Sequence, residues 1–225
     1  MINNDAEKYL NEKYEDCNHW ISYYFQYDLI RYSNSESILD IGTGTGFLPA
    51  ILKQKGYAVK SLDVNPNLNP DIVGSITSIP LKDSTFDIVS AFQVLEHLEF
   101  DNFERSISEM ARVSKRYVVL SLPYFCLYLG IGMLPFRSKY LDWIYIIFNK
   151  RSASLDIVNF DISIQLTFMG KVGMVSDHKW ELGRKGFPKS KVESVFSSKG
   201  LKIIKSFHRQ MYPYHFFYLL EKVGL

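Results

Sequence analysis

The sequence predicts an α/β domain whose core is a doubly wound, mostly parallel sheet. Three observations carry that expectation. Short apolar, β-prone runs at Ser37–Ile41, Tyr57–Leu62, Phe86–Val89 and Tyr117–Leu122 alternate with helix-compatible segments, the pattern of a parallel sheet with helical crossovers. The first run enters Gly42-Thr43-Gly44-Thr45-Gly46 and passes at once into Phe47-Leu48-Pro49-Ala50-Ile51-Leu52, which reads as strand, tight turn, helix. The second run delivers Asp63 at its carboxyl end, about 20 residues after the glycines, where an acid can accept bonds from ribose hydroxyls.

The composition is compatible with this fold and excludes several classes. With 225 residues, 47% of them hydrophobic and 22% charged, one domain with a decoration suffices. A net charge of +2 does not argue for nucleic acid. Cys17 and Cys126 are far apart and form no metal-ligand pattern, so a reducing, cytoplasmic setting is expected. The acidic, polar start Met1–Glu7 lacks the basic and apolar regions of a secretory signal. Residues 117–136 carry no charge, but their first six read as a buried strand, and Gly130, Gly132 and Pro135 break the remainder.

In chain order, residues 1–32 are expected to form an N-terminal helical cover. Leu10, Tyr14, Trp20, Ile21, Tyr24, Phe25 and Leu29 supply its apolar contacts, and Trp20, Tyr23 and Tyr24 either pack on the sheet, as an apolar stripe ordinarily does, or reach a ligand on the glycine turn. The helix after that turn stops near Lys55-Gly56. A short strand near Ile72, a loop through Ile79-Pro80-Leu81 and a further strand follow. Phe100–Ser114 places Phe103, Ile107, Met110 and Ala111 on one helical face. Residues 124–180 are too long for an ordinary connection and read as a cap or lid. Within it, a charge-poor apolar half from Phe125 to Phe148 precedes the alternating run Asp161–Phe168 and a turn at Gly170–Gly173. Pro188–Ser198 is the last helix, and Leu201–Phe207 and His215–Leu220 are the last strands. Between Arg184 and Arg209 eight Lys or Arg face a lone Glu193, which with the apolar half-cap suggests peripheral contact with an anionic membrane surface.

The glycine turn departs from the dinucleotide fingerprint, because its third glycine arrives one residue early and Phe47 stands in the fingerprint's place. Asp40-Ile41-Gly42-Thr43-Gly44-Thr45-Gly46 instead resembles motif I of the class I S-adenosylmethionine (SAM)-dependent methyltransferases. Gly74-Ser75-Ile76, Ile79-Pro80-Leu81, Asp83–Asp87 and Val94-Leu95-Glu96-His97-Leu98 follow in the order and spacing of their small-molecule, type 11-like branch. The resemblance implies a seven-stranded, Rossmann-like sheet closed by an antiparallel hairpin, with the cap inserted after strand 5. It implies SAM as cofactor and S-adenosylhomocysteine as product, held by Asp40, Gly42, Thr43, Gly44, Gly46, Asp63, Val64, Ser75, Ile76 and Gln93. Ser75 stands where the family commonly has an aspartate for the adenine amino group, so a charge-assisted bond is replaced by a neutral one. Metal-using members carry Glu-x-x-Glu-His, whereas this chain has Gln93 at the first position, and no metal is expected.

The expected activity is methyl transfer to a small-molecule or lipid-linked acceptor. Candidate catalytic residues are His178, oriented by Asp177 or Glu181, and His97, whose alternative is a loop-fixing role shared across the branch. A non-catalytic SAM-binding or partner-binding protein on the same fold is the alternative.

Overall fold

In the computed structural model the described residues are 17–125, 127–130, 163–166, 177–209 and 212–223. In chain order they form α1 (Cys17–Tyr32), β1 (Ser37–Ile41), α2 (Phe47–Gln54), β2 (Ala58–Asp63), β3 (Ile72–Val73), β4 (Phe86–Phe92), α3 (Asp101–Val113), β5 (Ser114–Pro123), β6 (Leu127–Gly130), β7 (Ser163–Leu166), α4 (Lys189–Ser198), β8 (Leu201–Arg209) and β9 (Tyr212–Lys222). The chain packs as two units, Met1–Cys126 with Thr167–Leu225, and Leu127–Leu166.

In the first unit seven strands lie in the order β3-β2-β1-β4-β5-β9-β8. β1 to β5 pair in parallel, and β9 runs antiparallel to both β5 and β8. This is the doubly wound sheet with a closing hairpin expected from the sequence. Successive side chains on a strand point to opposite faces, and here both faces are covered. Ile38, Val59, Ile88 and Val119 pack with Leu29, Ile30, Leu48 and Leu52 of α1 and α2. Leu39, Leu62, Val89, Val118 and Leu120 pack on the other side with Phe103, Ile107 and Met110 of α3 and Val192 and Phe196 of α4. Burial on both sides explains why these strands read as continuous apolar runs.

α1 buries only part of the expected apolar set: Leu29 is in the core and Phe25 packs against it. Trp20 and Tyr24 are 50% and 60% exposed, while Ser22, Gln26, Leu29 and Ile30 are buried. The two polar residues are accommodated because Gln26 Nε2 donates to Ser22 Oγ (3.0 Å) and Ser22 Oγ bonds His215 Nδ1 (2.8 Å). The expected contacts of Leu10 and Tyr14 lie outside the described residues.

Two charged clamps fix the connections. Arg112 on α3 bonds both oxygens of Glu109, the carbonyls of Ile79 and Leu81, and Asp83, while Glu109 Oε2 accepts from Ile79 N at 2.8 Å. The Ile79-Pro80-Leu81 loop is thereby tied to the helix that follows it. At the amino edge of the sheet, Asp87 accepts from the backbone N–H and hydroxyl of Ser37, from Glu36 N and from Lys115 Nζ. It thus joins the starts of β1, β4 and β5.

The second unit contains β6 paired antiparallel with β7, Leu127 opposite Leu166 and Gly130 opposite Ser163. β7 falls within the run predicted from its alternation. This unit lies within the segment expected at 124–180 to form a cap. Tyr124 N donates to Tyr214 O, Phe125 N to Leu182 O and Leu182 N to Pro123 O, and Trp180 and Leu182 are completely buried in the α3–α4 face of the sheet core. Most of the apolar half-cap, residues 131–148, and the Gly170–Gly173 turn lie outside the described residues. Among the described residues no helix is long and apolar enough to cross a membrane.

The Asp87 clamp makes a testable prediction. Burial pushes its carboxyl up, but the bonds from Ser37, Lys115 and Glu36 outweigh this and hold it well below the usual carboxylate range. Asp87→Ala should lower stability by about 2 kcal/mol in urea denaturation at neutral pH. A depressed carboxyl contributes stability above its unfolded pKa and loses it as pH falls through the folded one, so the difference between the two proteins should shrink below about pH 4. An unchanged urea midpoint at pH 7 would show that the clamp is not needed.

Candidate functional site

β1 lies between β2 and β4, so its chain leaves the sheet with a neighbour on each side. Gly42 N still donates to Leu62 O of β2 (2.8 Å), after which the backbone turns sharply. Gly42, Gly44 and Gly46 all have positive φ, at 85°, 50° and 72°. A Cβ at Gly42 would run into the side chain of Val94, so that position is closed to any larger residue on steric as well as conformational grounds. Gly46 forms the N-cap of α2, its carbonyl accepting from Ala50 N (3.1 Å).

Beyond these strand ends lies a cavity of about 720 Å³, within the size range of small-molecule sites. Of the residues expected to hold cofactor, Asp40, Gly42, Thr43, Gly44, Asp63, Val64, Ser75, Ile76 and Gln93 line it. Gly46 does not. Its glycine is required by the left-handed turn that starts α2, and motif spacing alone does not separate that requirement from ligand contact.

Asp63 has one oxygen on Thr43 N (2.8 Å) and the other on Asn65 N (2.8 Å). The carboxylate therefore both shapes the glycine turn and retains acceptor capacity, since its two oxygens offer about four lone-pair sites. Asp40 is 4% exposed and accepts from Ser90 Oγ at 2.7 Å. Burial pushes its carboxyl up to about 7, with the Ser90 bond acting in the opposite sense. Ser75 Oγ is engaged locally with Thr77 Oγ1 (2.8 Å) and Thr77 N (3.2 Å). Gln93 has a φ of 55°, and its Nε2 donates to Ser121 Oγ (3.0 Å). From α1, Tyr23 reaches the turn, its hydroxyl 3.0 Å from Thr45 Oγ1. Trp20 meets Phe47 edge to face at 4.5 Å and, like Tyr24, is not on the cavity wall.

The other end of the cavity is built from imidazoles. His19, His97, His178 and His215 all line it, together with Asp177 and Tyr214. The two histidines nominated from sequence are brought together, with ring centroids 5.1 Å apart at 75°. His97 Nδ1 is 3.3 Å from the carbonyl oxygen of Asp177. His178 Nδ1 is 3.0 Å from Glu181 Oε1, so Glu181, one of its two expected orienting partners, engages the ring. Glu181 also accepts from Arg184 Nε (2.6 Å) and Tyr214 Oη (3.2 Å). Burial pushes the Glu181 carboxyl up, but the bonds from His178 and Arg184 outweigh it and hold the group at about 2. It is an anion that fixes the His178 ring.

Sequence reasoning missed three parts of this wall. Glu96 is completely buried on the cavity wall, and burial pushes its carboxyl up to about 8. His215 and Tyr214 come from β9, where the strand pattern shows them as ordinary alternating residues. Ser22 and Gln26 of α1 also line the cavity, although the apolar stripe drew attention to the aromatic residues instead.

Comparison with known proteins agrees with this geometry. Residues 39–121 match the family described as Methyltransferase domain. An uncharacterized protein of Methanocaldococcus jannaschii is 30% identical over 94 residues, a match covering 39% of this chain and 40% of that protein's length. Magnesium protoporphyrin IX methyltransferase of Synechocystis PCC 6803, solved with bound S-adenosylhomocysteine, superposes with a TM-score of 0.63 over 98% of this chain and 96% of that one, at 14% identity. A SAM-dependent methyltransferase of Aquifex aeolicus gives 0.53 over 87% and 88%, also at 14% identity. One from Methanosarcina mazei gives 0.51 over 85% and 94%, at 18%. At these identities the likeness to the solved structures is one of fold. Residues 39–121 thus match a methyltransferase domain, and the chain shares the α/β fold of SAM-dependent methyltransferases.

Proposed function

We propose that this protein is an enzyme that transfers a methyl group from SAM to a small-molecule or lipid-linked acceptor. The observation that carries the proposal is the pairing, on one cavity wall, of a glycine turn that leaves no room for a side chain at Gly42 with acids at two adjacent strand ends. When bound, SAM supplies a methyl group on a cationic sulfur and leaves as S-adenosylhomocysteine.

The chain's own residues divide the work. Asp63 would accept from the ribose hydroxyls of bound SAM, Asp40 would hold its methionine amino group, and Ile76 and Ser75 would border the adenine. The Ser75 hydroxyl, already committed to Thr77, offers less than a carboxylate would there. Methyl transfer needs an acceptor lone pair held in line and water excluded, so alignment carries much of the rate. A hydroxyl acceptor must also lose its proton, and His178 and His97 are the groups proposed to promote that loss. Because Glu181 engages His178 Nδ1, Nε2 is the ring nitrogen left for the acceptor. The insertion expected at 124–180 is proposed to select the acceptor.

Calorimetric titration with SAM, followed by methyl transfer from labelled SAM to a cell extract, tests the proposal. SAM binding and a labelled product are expected; absence of SAM binding would overturn it, and binding with no transfer to any fraction would favour a non-catalytic role. Asp63→Ala should weaken SAM binding tenfold or more, through lost charge-assisted bonds and a loosened Thr43 turn. Unchanged affinity would remove Asp63 from the site. Asp40 makes a pH prediction. Below about 7 its buried carboxyl is protonated and above it ionised, so affinity for a ligand bearing a cationic amine should rise from about pH 6 to pH 7.5. Asp40→Asn should flatten that dependence; an identical slope in the variant would show that another group titrates.

A further inference from the structure

Glu96 is fully buried, and neither of its carboxylate oxygens has a hydrogen-bond partner among the described residues. A carboxyl group in that state is among the least favourable arrangements a protein interior contains, and in native structures such a group calls for a ligand or another explanation. Its neighbours in the cavity are two imidazoles. One ligand atom from each of Glu96, His97 and His178 lies within 4.8 Å of the other two.

The imidazoles are prepared for a common target. His97 Nδ1 lies 3.3 Å from Asp177 O and 3.7 Å from Asp177 Oδ2, and His178 Nδ1 lies 3.0 Å from Glu181 Oε1. A ring whose Nδ1–H is held by a carbonyl or carboxylate is fixed in one orientation and tautomer, and this is the usual outer support of a metal-bound histidine. The His178 side chain is 8% exposed, so its ring is held by packing as well as by Glu181. The segment carrying these residues is itself tied to the Glu96 loop, since Lys179 N donates to Glu96 O at 2.8 Å.

We propose that Glu96, His97 and His178 form a three-ligand site for a first-row divalent cation, with zinc the best match to two imidazoles and one carboxylate. A three-ligand set leaves a coordination position open, and the cavity adjoins it. The sequence expectation of no metal rested on Gln93, whose amide is tied to Ser121 and is not among these ligands. His178, remote in the chain, completes the set. Resting on the methyltransferase reading, the open position would take an oxygen of the acceptor, whose hydroxyl pKa a cation lowers, and with the cation bound His97 and His178 would serve as its ligands in place of taking the proton directly. The cation site itself does not depend on that reading.

The test uses the full chain, freed of metal with a chelator and titrated with zinc by calorimetry, with zinc content measured after dialysis. One zinc per chain is expected. Glu96→Gln, which keeps the shape of the side chain, and His178→Ala should each weaken zinc binding tenfold or more. Cobalt titrated into the unmutated chain should give the visible absorption of a low-coordinate nitrogen and oxygen site, a readout that needs no variant to fold. No zinc retained and no such absorption, or zinc bound equally well by folded Glu96→Gln and His178→Ala, would overturn the site. SAM binding separates this result from the methyltransferase reading: Asp63→Ala should lose SAM and keep zinc. A chain that binds zinc without SAM upholds the site and overturns the reading, and one that binds SAM without zinc does the reverse.

Discussion

The structure depends on one constraint: β1 is paired in parallel on both sides, so its carboxyl end must reverse direction between two occupied neighbours. In register, Asp40 stands beside Ser61 of β2 and Ser90 of β4. Two residues later the last sheet bond, Gly42 N to Leu62 O, has been made, and the chain turns under a Val94 side chain that leaves no room for a Cβ. Glycine satisfies both the left-handed backbone and the contact. Asp63, reaching across from the end of β2 to Thr43 N, stabilises the turn from the other side. The residues proposed to hold cofactor therefore also complete the sheet.

This sharing explains why the fold was readable. The apolar runs were strong because both sheet faces are covered, and the turn was strong because its geometry admits few residues. Several motif segments have structural causes of their own. Ile79-Pro80-Leu81 and Asp83 are the targets of Arg112, and Asp87 joins three strand starts. Physical requirements of the sheet thus account for a large part of a pattern that looks functional when read as a string.

The imidazole wall was readable only in fragments. His97 and His178 could be nominated as isolated residues, but their contact, and that of His178 with Tyr214, arises from the return of the chain after the insertion. Glu96 sits in a short helical turn where a glutamate is ordinarily solvated, and nothing local signals its complete burial. The polar residues on the buried face of α1 were missed for a related reason. Ser22 and Gln26 are buried through a hydrogen bond to His215, a partner on the last strand, and an apolar stripe does not reveal polar groups whose partners are distant.

The two ends of the cavity consequently differ in how they are built. The part of the lining proposed to hold the nucleoside comes from strand ends between residues 40 and 93, held by backbone hydrogen bonds and sheet register. The imidazole end combines α1, the loop after β4, the segment 177–184 and β9, held by side-chain bonds around Glu181 and Ser22. Register bonds constrain position through the backbone and tolerate side-chain exchange poorly at the glycines, whereas a side-chain network can be rebuilt by substituting its members. A fold of this kind can therefore keep one cofactor site while its second wall takes on different chemistry. In this chain that wall holds four imidazoles and a buried carboxyl group.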